Sequence, residues 1–490
     1  MVPGEGHYHR LLRLLAVAVL VGMLLSTQGT VTRAGRAGIN TAVTLSVYTC
    51  CGSLAGFNDA NAADLSSMRA TYGSLWAQAF PGLNWHETNF PDQASLERQL
   101  AAAVARGAAP DMVFMQGDYA GYTVLHRLVQ PLDQYFASYH VPDSAFLPGM
   151  DRWAHFGGHW WAIPAVSGPL GGQQIYLPKY MSALGFNNSN LVSFDDYYQM
   201  SRKAVQFDAA GNLLRIGYWP GVDSWETIGT LMCPLGHGLY NRANQPTATD
   251  PCNLAYLQFL TKLVKLYGGY AKLQAFLSHD PDFLNGNHKA FMVAGKAMIT
   301  PSAYAFWNIP AFDANNFGVK GGLTYALTTL PPTPDGTVAE AENYPSTQQE
   351  VMIPRGAKHP DVAFAVSKMM FWDDNYLLGR STSGSPIIKG QDRWLHTVIS
   401  TEAAVRKLVG LPGNPIAALQ GLKLQPMLGL VSKASNPINP VDIYYQQQLE
   451  KATVRVLLGQ QAPAAALHAV QTQVLAEQRR LKAQYGAWPW

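Results

Sequence analysis

Charge is what this 490-residue chain has least of. Asp, Glu, Lys and Arg together make up 14% of it, where soluble domains usually carry about a quarter. The 35 Lys and Arg nearly balance the 32 Asp and Glu, so there is no broad basic field of the kind that holds nucleic acid. Cysteine is scarce too, at four residues, which rules out a small fold built on disulfides. Around Cys233 and His237 no paired Cys or His completes a zinc site. The common catalytic spacings are missing: no H-E-x-x-H, no G-x-S-x-G, no Walker loop, and no G-x-G-x-x-G behind a strand. These absences weigh against zinc proteases, α/β-hydrolases, NTPases and dinucleotide enzymes, and no metal or cofactor is expected. Asp280 and Asp282 before Asn285-Gly286 lack the spacing and closing Glu of a calcium loop and read as a helix-capping turn. Asp195-Asp196 and Asp373-Asp374 are paired carboxylates by type, but read as helix caps.

Long apolar runs are also missing, with one exception at the start. Residues 14–25 form an unbroken apolar run of twelve behind Arg10 and Arg13, followed by small and polar residues. Twelve is short for a bilayer span and right for an export signal. Residues 1–37 are therefore expected to be a signal peptide, with Gly35-Arg36-Ala37 as one cleavage option, or an uncleaved N-terminal anchor that recruits Leu11 and Leu12. This leader carries four arginines against Glu5, which accounts for the whole formal net charge of +3. The mature chain is near neutral.

Rings and apolar residues are abundant. Hydrophobic residues reach 48%, aromatics 11%, with 12 Trp and 23 Tyr. A surface poor in charge and rich in rings suits neutral, hydroxyl-bearing ligands. The length calls for two or more lobes. Export fits the cysteines: Cys233 and Cys252 bracket a Gly/Asn/Pro-rich loop and read as a disulfide that closes it. The adjacent Cys50 and Cys51 form a strained vicinal disulfide or stay as thiols.

Periodicity predicts strands at 44–48, 83–90 and 112–115, and helices at 68–80 and from Asp92 to Gly107. That β-α-β-α-β run argues for a parallel sheet with crossover helices. Ligands then bind beyond the carboxyl ends of the strands, at 49–53, 89–92 and 116–119. Further on, strands are expected at 175–176, 214–218, 297–300 and 351–353. Helices are expected at 194–206, 225–233, 254–267, 288–293 (as a helix end), 362–372, 441–458 and 462–485.

The order of certain segments carries more than any one motif. "FPGLNWHETNF", "LERQLAAAVARGAAPDMVFMQGD", "RLVQPLDQYF", "GGHWWAIP", "IYLPKYMSALGF", "AFMVAGKAMITPSAYAFWNI" and "VMIPRGAKHPDVAFAVSKMMFW" follow one another through the chain. In this order the chain resembles the solute-binding proteins of carbohydrate ABC importers, the maltose-binding-protein-like family 1. The resemblance implies an α/β, two-lobed periplasmic-binding-protein fold of type II. Each lobe is a mainly parallel sheet flanked by helices, with a hinge and a central cleft. Lobe 1 is expected to hold 41–160 with 346–384, and lobe 2 to hold 161–345 with 385–490.

The resemblance also implies function: capture of a sugar or oligosaccharide in the cleft and delivery to permease subunits, without catalysis. A monomer at the periplasmic or extracellular face of the membrane is expected. A polyol or glycerol phosphate is an alternative ligand, and Arg380 is the best candidate for a phosphate contact. A secreted carbohydrate-active enzyme and a ligand-presenting sensor are the alternative functions. Family members place a carboxylate at Asp118, with Tyr119 beside it. Ser167 stands where maltose binders have a glutamate. Trp161, with Trp160, lines the hinge or packs in the core. Asp223, Trp225, Tyr304, Trp307 and Tyr445, the last beside Tyr444, complete the expected ligand contacts. Lipid-anchored members have a cysteine directly after the leader, and this chain has none there.

Overall fold

The computed structural model describes residues 42–50, 80–141, 154–168, 174–187, 190–219, 239–241, 243–278, 294–301, 326–328, 334–335, 347–372, 438–486 and 488. The expected leader, the helices at 68–80, 225–233 and 288–293, and the acidic pairs at 280–282 and 373–374 lie outside them or nearly so. Among the described residues no helix is long and apolar enough to cross a membrane.

The first sheet begins with β1 (Val43–Cys50), whose Val43, Leu45 and Val47 alternate inward, as period-2 geometry requires. It pairs in parallel with β2 (Leu83–Phe90) on one side and β3 (Met112–Gln116) on the other. Between β2 and β3 runs α1 (Gln93–Ala105). Asp92 caps it by accepting from Ser95 N at 2.6 Å, and Leu96, Leu100 and Ala103 form its buried face. Gly107, at φ +66°, lets the chain turn out of the helix. Asp111 is buried and ties the layer together. Its carboxylate accepts from Ser46 N at 2.9 Å and from His359 N at 2.8 Å.

Beyond β3 come a 3-10 turn (Gly117–Tyr119), α2 (Ala120–Leu125) and α3 (Asp133–Ser138). A hairpin of β4 (His155–Phe156) and β5 (His159–Trp160) leads into β6 (Ile163–Gly168). β12 (Thr347–Met352) completes the sheet, which runs β2-β1-β3-β12-β6. β12 is antiparallel to both β3 and β6. The expectation of a mainly parallel sheet therefore holds for the β-α-β-α-β part. Only β12, which returns from far along the chain, runs in the opposite sense; β6, antiparallel to β12, runs the same way as β3. β6 also sits in this first sheet, so the chain changes sheet between Gly168 and Gln174.

The second sheet runs β11 (Ala326–Thr328), β7 (Gln174–Tyr176), β10 (Ala297–Pro301), β9 (Leu213–Tyr218), β8 (Gln206–Phe207). Only β9 and β10 in it are parallel. α4 (Pro178–Ala183), α5 (Phe194–Ala204), α6 (Pro251–Leu266) and α7 (Tyr270–Ser278) accompany it. Asp196 forms a capping box with Ser193, so this half of the Asp195-Asp196 pair is a cap as expected. The core here is aromatic: Tyr197, Tyr218, Phe259 and Tyr267 pack with Met200, Ile216 and Leu263.

α8 (Pro360–Trp372) buries Phe364 against Tyr135 and Phe136 of α3. α9 (Asp442–Leu457) and α10 (Pro463–Tyr485) pack on each other and on α6. Leu125 of α2 joins their core with Tyr240, Leu257 and Tyr445. The approach is close: a Cβ on Gly121 of α2 would sit 2.9 Å from the Ile438 side chain and 3.0 Å from the Asn439 backbone. The C-terminal helices thus bridge the two sheets through α2. Cys50 and Cys252 are both disulfide-bonded. Cys51 and Cys233 lie outside the described residues, so the pairing of Cys233 with Cys252 stays an expectation.

Candidate functional site

The site lies where β3 ends. β3 is buried along its apolar length and then releases the chain into the tight 3-10 turn that carries Asp118. The Asp118 side chain is half-buried. Its Oδ2 accepts from Gln446 Nε2 of α9 at 3.1 Å, and its Oδ1 is buried with no partner at hydrogen-bond geometry among the described residues. This bond joins the end of the first sheet to the C-terminal helices across 328 residues of chain.

Two further carboxyls stand around Asp118. Glu97, on α1, has a buried Oε1 with no hydrogen-bond partner among the described residues. Glu350, on β12, is fully buried, and among the described residues neither of its oxygens has a partner. It is opposite Met115 in the ladder with β3. It shares a face with Met352, whose sulfur accepts from Thr123 Oγ1 of α2 at 3.5 Å. Glu350 therefore points to the side covered by the 117–119 turn and α2.

The Asp118 charge repels both Glu97 and Glu350 in a place with little water. Burial pushes Glu350 up to about 8, with the Asp118 charge adding to it. Burial and then Asp118 do the same to Glu97, also to about 8, against the opposing pull of Arg98. Asp118 itself is raised to about 6 by burial, its hydrogen bond from Gln446 working the other way. Tyr119 is nearly buried, and desolvation followed by the Asp118 charge drives its hydroxyl well above the ordinary range. Among the described residues no group of three His, Cys, Asp or Glu is placed to hold a metal ion. The arrangement offers acceptors and negative potential.

Of the residues expected from sequence, Asp118 and Tyr119 are at this site. Tyr445 precedes Gln446 on α9 but is fully buried, edge-on to Tyr240 at 5.5 Å. Its ring is part of the core, and Tyr444 beside it is only partly buried. Trp161 is partly exposed, gives its indole N–H to the Phe156 carbonyl at 3.1 Å, and touches Phe156 and His159. That attaches it to the β4–β5 hairpin. Trp160 packs in the core, stacked between Phe136 at 4.1 Å and His155 at 4.6 Å. Asp223, Trp225, Tyr304, Trp307 and Arg380 lie outside the described residues.

Glu97, Glu350 and Gln446 were not expected from sequence. Glu350 had a usable signal: it is the one charge next to the apolar Val351-Met352-Ile353 run of a buried strand. Gln446, inside a Gln-Gln-Gln run on a helix, had none.

No family model and no curated protein matches the chain. Solved structures do. An ABC transporter solute-binding protein of Thermotoga lettingae bound with alpha-D-tagatose aligns at a TM-score of 0.63 and 15% identity, over 89% of this chain and 99% of that one. Maltose-bound MalE3 of Thermotoga maritima aligns at 0.64 and 14% identity, over 89% and 100%. A solute-binding protein of Agrobacterium radiobacter in complex with ribitol aligns at 0.63 and 15% identity, over 89% and 99%. The chain therefore has, over 89% of its length, the two-lobed α/β fold of these ABC transporter solute-binding proteins.

Proposed function

We propose that this protein is the substrate-binding component of an ABC importer, which closes its two lobes on a carbohydrate or polyol and presents it to membrane permease subunits. The observation that carries this reading is Asp118. It stands at the carboxyl end of a central strand, holds one unpartnered buried oxygen, and meets Gln446 from the other side of the fold. A carboxylate so placed takes hydrogen bonds from ligand hydroxyls, and a contact across the lobes couples occupancy to closure. The solved relatives named above bind tagatose, maltose and ribitol, which supports a polyhydroxylated ligand. The three acids make an anion such as glycerol phosphate a poor fit.

On this reading the lobes correspond to the two sheets. Lobe 1 holds 41–168 with 346–384, and lobe 2 holds the remainder. Asp223, Trp225, Tyr304 and Trp307 supply ring stacking and further hydroxyl contacts. The leader directs export, and the protein works as a monomer outside the membrane. Binding without turnover separates this reading from that of a carbohydrate-active enzyme.

A panel of sugars and polyols is expected to raise the melting temperature and change tryptophan fluorescence, with no product formed. No response to any of them would sink the reading, and release of product from a glycan would favour the enzyme. Asp118→Ala should weaken binding about 10- to 100-fold, the worth of a charge-assisted hydrogen bond, as read by calorimetry. Tyr304→Ala and Trp307→Ala should each lose affinity if their rings stack on the ligand. Unchanged affinity in both variants removes them from the site.

A further inference from the structure

We propose that the ligand of this cleft carries a protonated amine beside its hydroxyls, as an amino sugar or an amino polyol does. This inference rests on the binding-protein reading above and narrows its ligand. Three acids gather at the end of β3: Asp118 from the turn, Glu97 from α1 and Glu350 from β12. Among the described residues, four of their oxygens are buried with no hydrogen-bond partner: Asp118 Oδ1, Glu97 Oε1 and both oxygens of Glu350. Buried acceptors of this kind are costly unless a donor arrives.

The choice of donor is a matter of counting. A hydroxyl brings one hydrogen and two lone pairs, and its lone pairs would face more acceptors. An ammonium brings three hydrogens, no lone pair and a full positive charge. Among the described residues the three acids are not set to hold a metal ion, and the cation proposed here is organic. Asp118 and Glu97 are the partly accessible pair that would meet the nitrogen. Glu350 is fully buried and feels the Asp118 charge; it acts as a positioning residue that deepens the negative potential.

The surrounding groups do little to neutralise this potential. Arg98 relieves Glu97 but is exposed and bonded to Ser95. Asp92 on the same helix, Tyr119 in the turn and Tyr122 on α2 add no positive charge, and Gln446 of α9 is neutral. In the free protein the cluster therefore holds protons near neutrality. A bound ammonium supplies the missing charge, and a carboxyl proton leaves to solvent as it binds.

The test uses matched pairs that differ only in amine for hydroxyl: glucosamine with glucose, galactosamine with galactose, the deacetylated chitobiose with cellobiose, and an amino polyol with its polyol. Affinity and proton release are measured by calorimetry in buffers of different ionisation heat between pH 5.5 and 7.5. The expected result is that at least one amine binds about tenfold or more tightly than its hydroxyl twin at pH 7.5. The margin should shrink toward pH 5.5 as the acids take up protons, and binding of the amine should release close to one proton. Glu97→Gln, on the partly exposed α1 face, should cut the amine preference while leaving the neutral twin little changed. Glu350→Gln should lower proton release as well as preference, which a merely structural residue would not do. Equal binding of amine and hydroxyl twins overturns the inference and leaves the binding-protein reading standing. Tighter binding of the neutral twins does the same. Failure of every member to bind sinks both.

Discussion

Gly217→Ala is expected to unfold the second lobe under conditions where the wild type is stable. Gly217 lies in β9 under α5, and a Cβ built there would overlap the Cα, Cβ and Oγ of Ser201. Ser201 is completely buried, and its backbone belongs to a helix whose other side packs on α6. Neither layer can retreat without opening the aromatic core. The same contact carries polar bonds. Tyr218 N donates to Ser201 Oγ at 3.1 Å, and Tyr267 Oη donates to the Tyr218 carbonyl at 2.7 Å. Pushing the helix away would leave these buried groups unpaired, adding to the overpacking cost. The expected loss is about 3 kcal/mol or more, measured by denaturant unfolding with a probe in the second lobe. Pairing the substitution with Ser201→Gly should recover only part of the loss, because the Ser201 Cα still stands in the way. An alanine variant with an unchanged midpoint would show that the helix and strand are not packed this closely.

This contact also shows where sequence reasoning ran out. "RIGYW" reads as a strand, and its glycine carries no sign of which helix crosses it. Where local signals agreed, the elements were legible. Asp92, the Leu96–Leu100–Ala103 stripe and Gly107 all point to one helix, and α1 has those limits. α5 begins at Phe194 as expected but stops at Ala204, short of the expected 206, where Gln206 enters β8. β6 was not expected at all, because "IPAVSG" has neither clean alternation nor a cap to mark it, and only its ladder with β12 assigns it to the first sheet. The site divides in the same way. Asp118 was legible because it directly follows a recognisable strand. Its partners come from α1, from β12 and from α9, the last 328 residues away, and no local pattern records such a meeting. Tyr445 shows the same limit from the other side. An aromatic near a helix start can face a cleft or a core, and here Leu125, Tyr240 and Leu257 enclose it.

Glu350→Gln is expected to make the ligand-free protein more stable at pH 8, and hardly more stable at pH 5. The native carboxyl is raised from 4.5 to about 8, by burial first and by the Asp118 charge second. In the unfolded chain it titrates near its ordinary value. Below pH 4.5 both states hold the proton and the group costs little. Between 4.5 and 8 the unfolded chain has lost the proton while the native protein still holds it. Fewer protons on the unfolded state mean that stability falls as pH rises. Above 8 the native group has ionised too, and the loss is complete. A shift of this size is worth roughly 5 kcal/mol at most, and a glutamine has no such pH dependence. The variant should therefore exceed the wild type by about 2–4 kcal/mol at pH 8, with the gap closing toward pH 5. Unfolding curves at those two pH values decide it. Asp118, raised to about 6, contributes a decline of the same sign at lower pH, so the slope should flatten in two stages. A wild type that grows more stable from pH 5 to 8 would mean that Glu350 is ionised and paired in the native protein. An ammonium-bearing ligand acts on the same balance. By neutralising the cluster it should remove most of the wild-type slope and have little effect on the slope of the glutamine variant. A buried acid that weakens the empty protein and is relieved by its ligand ties occupancy to a tighter fold. A protein that must change shape to report a bound ligand needs that coupling.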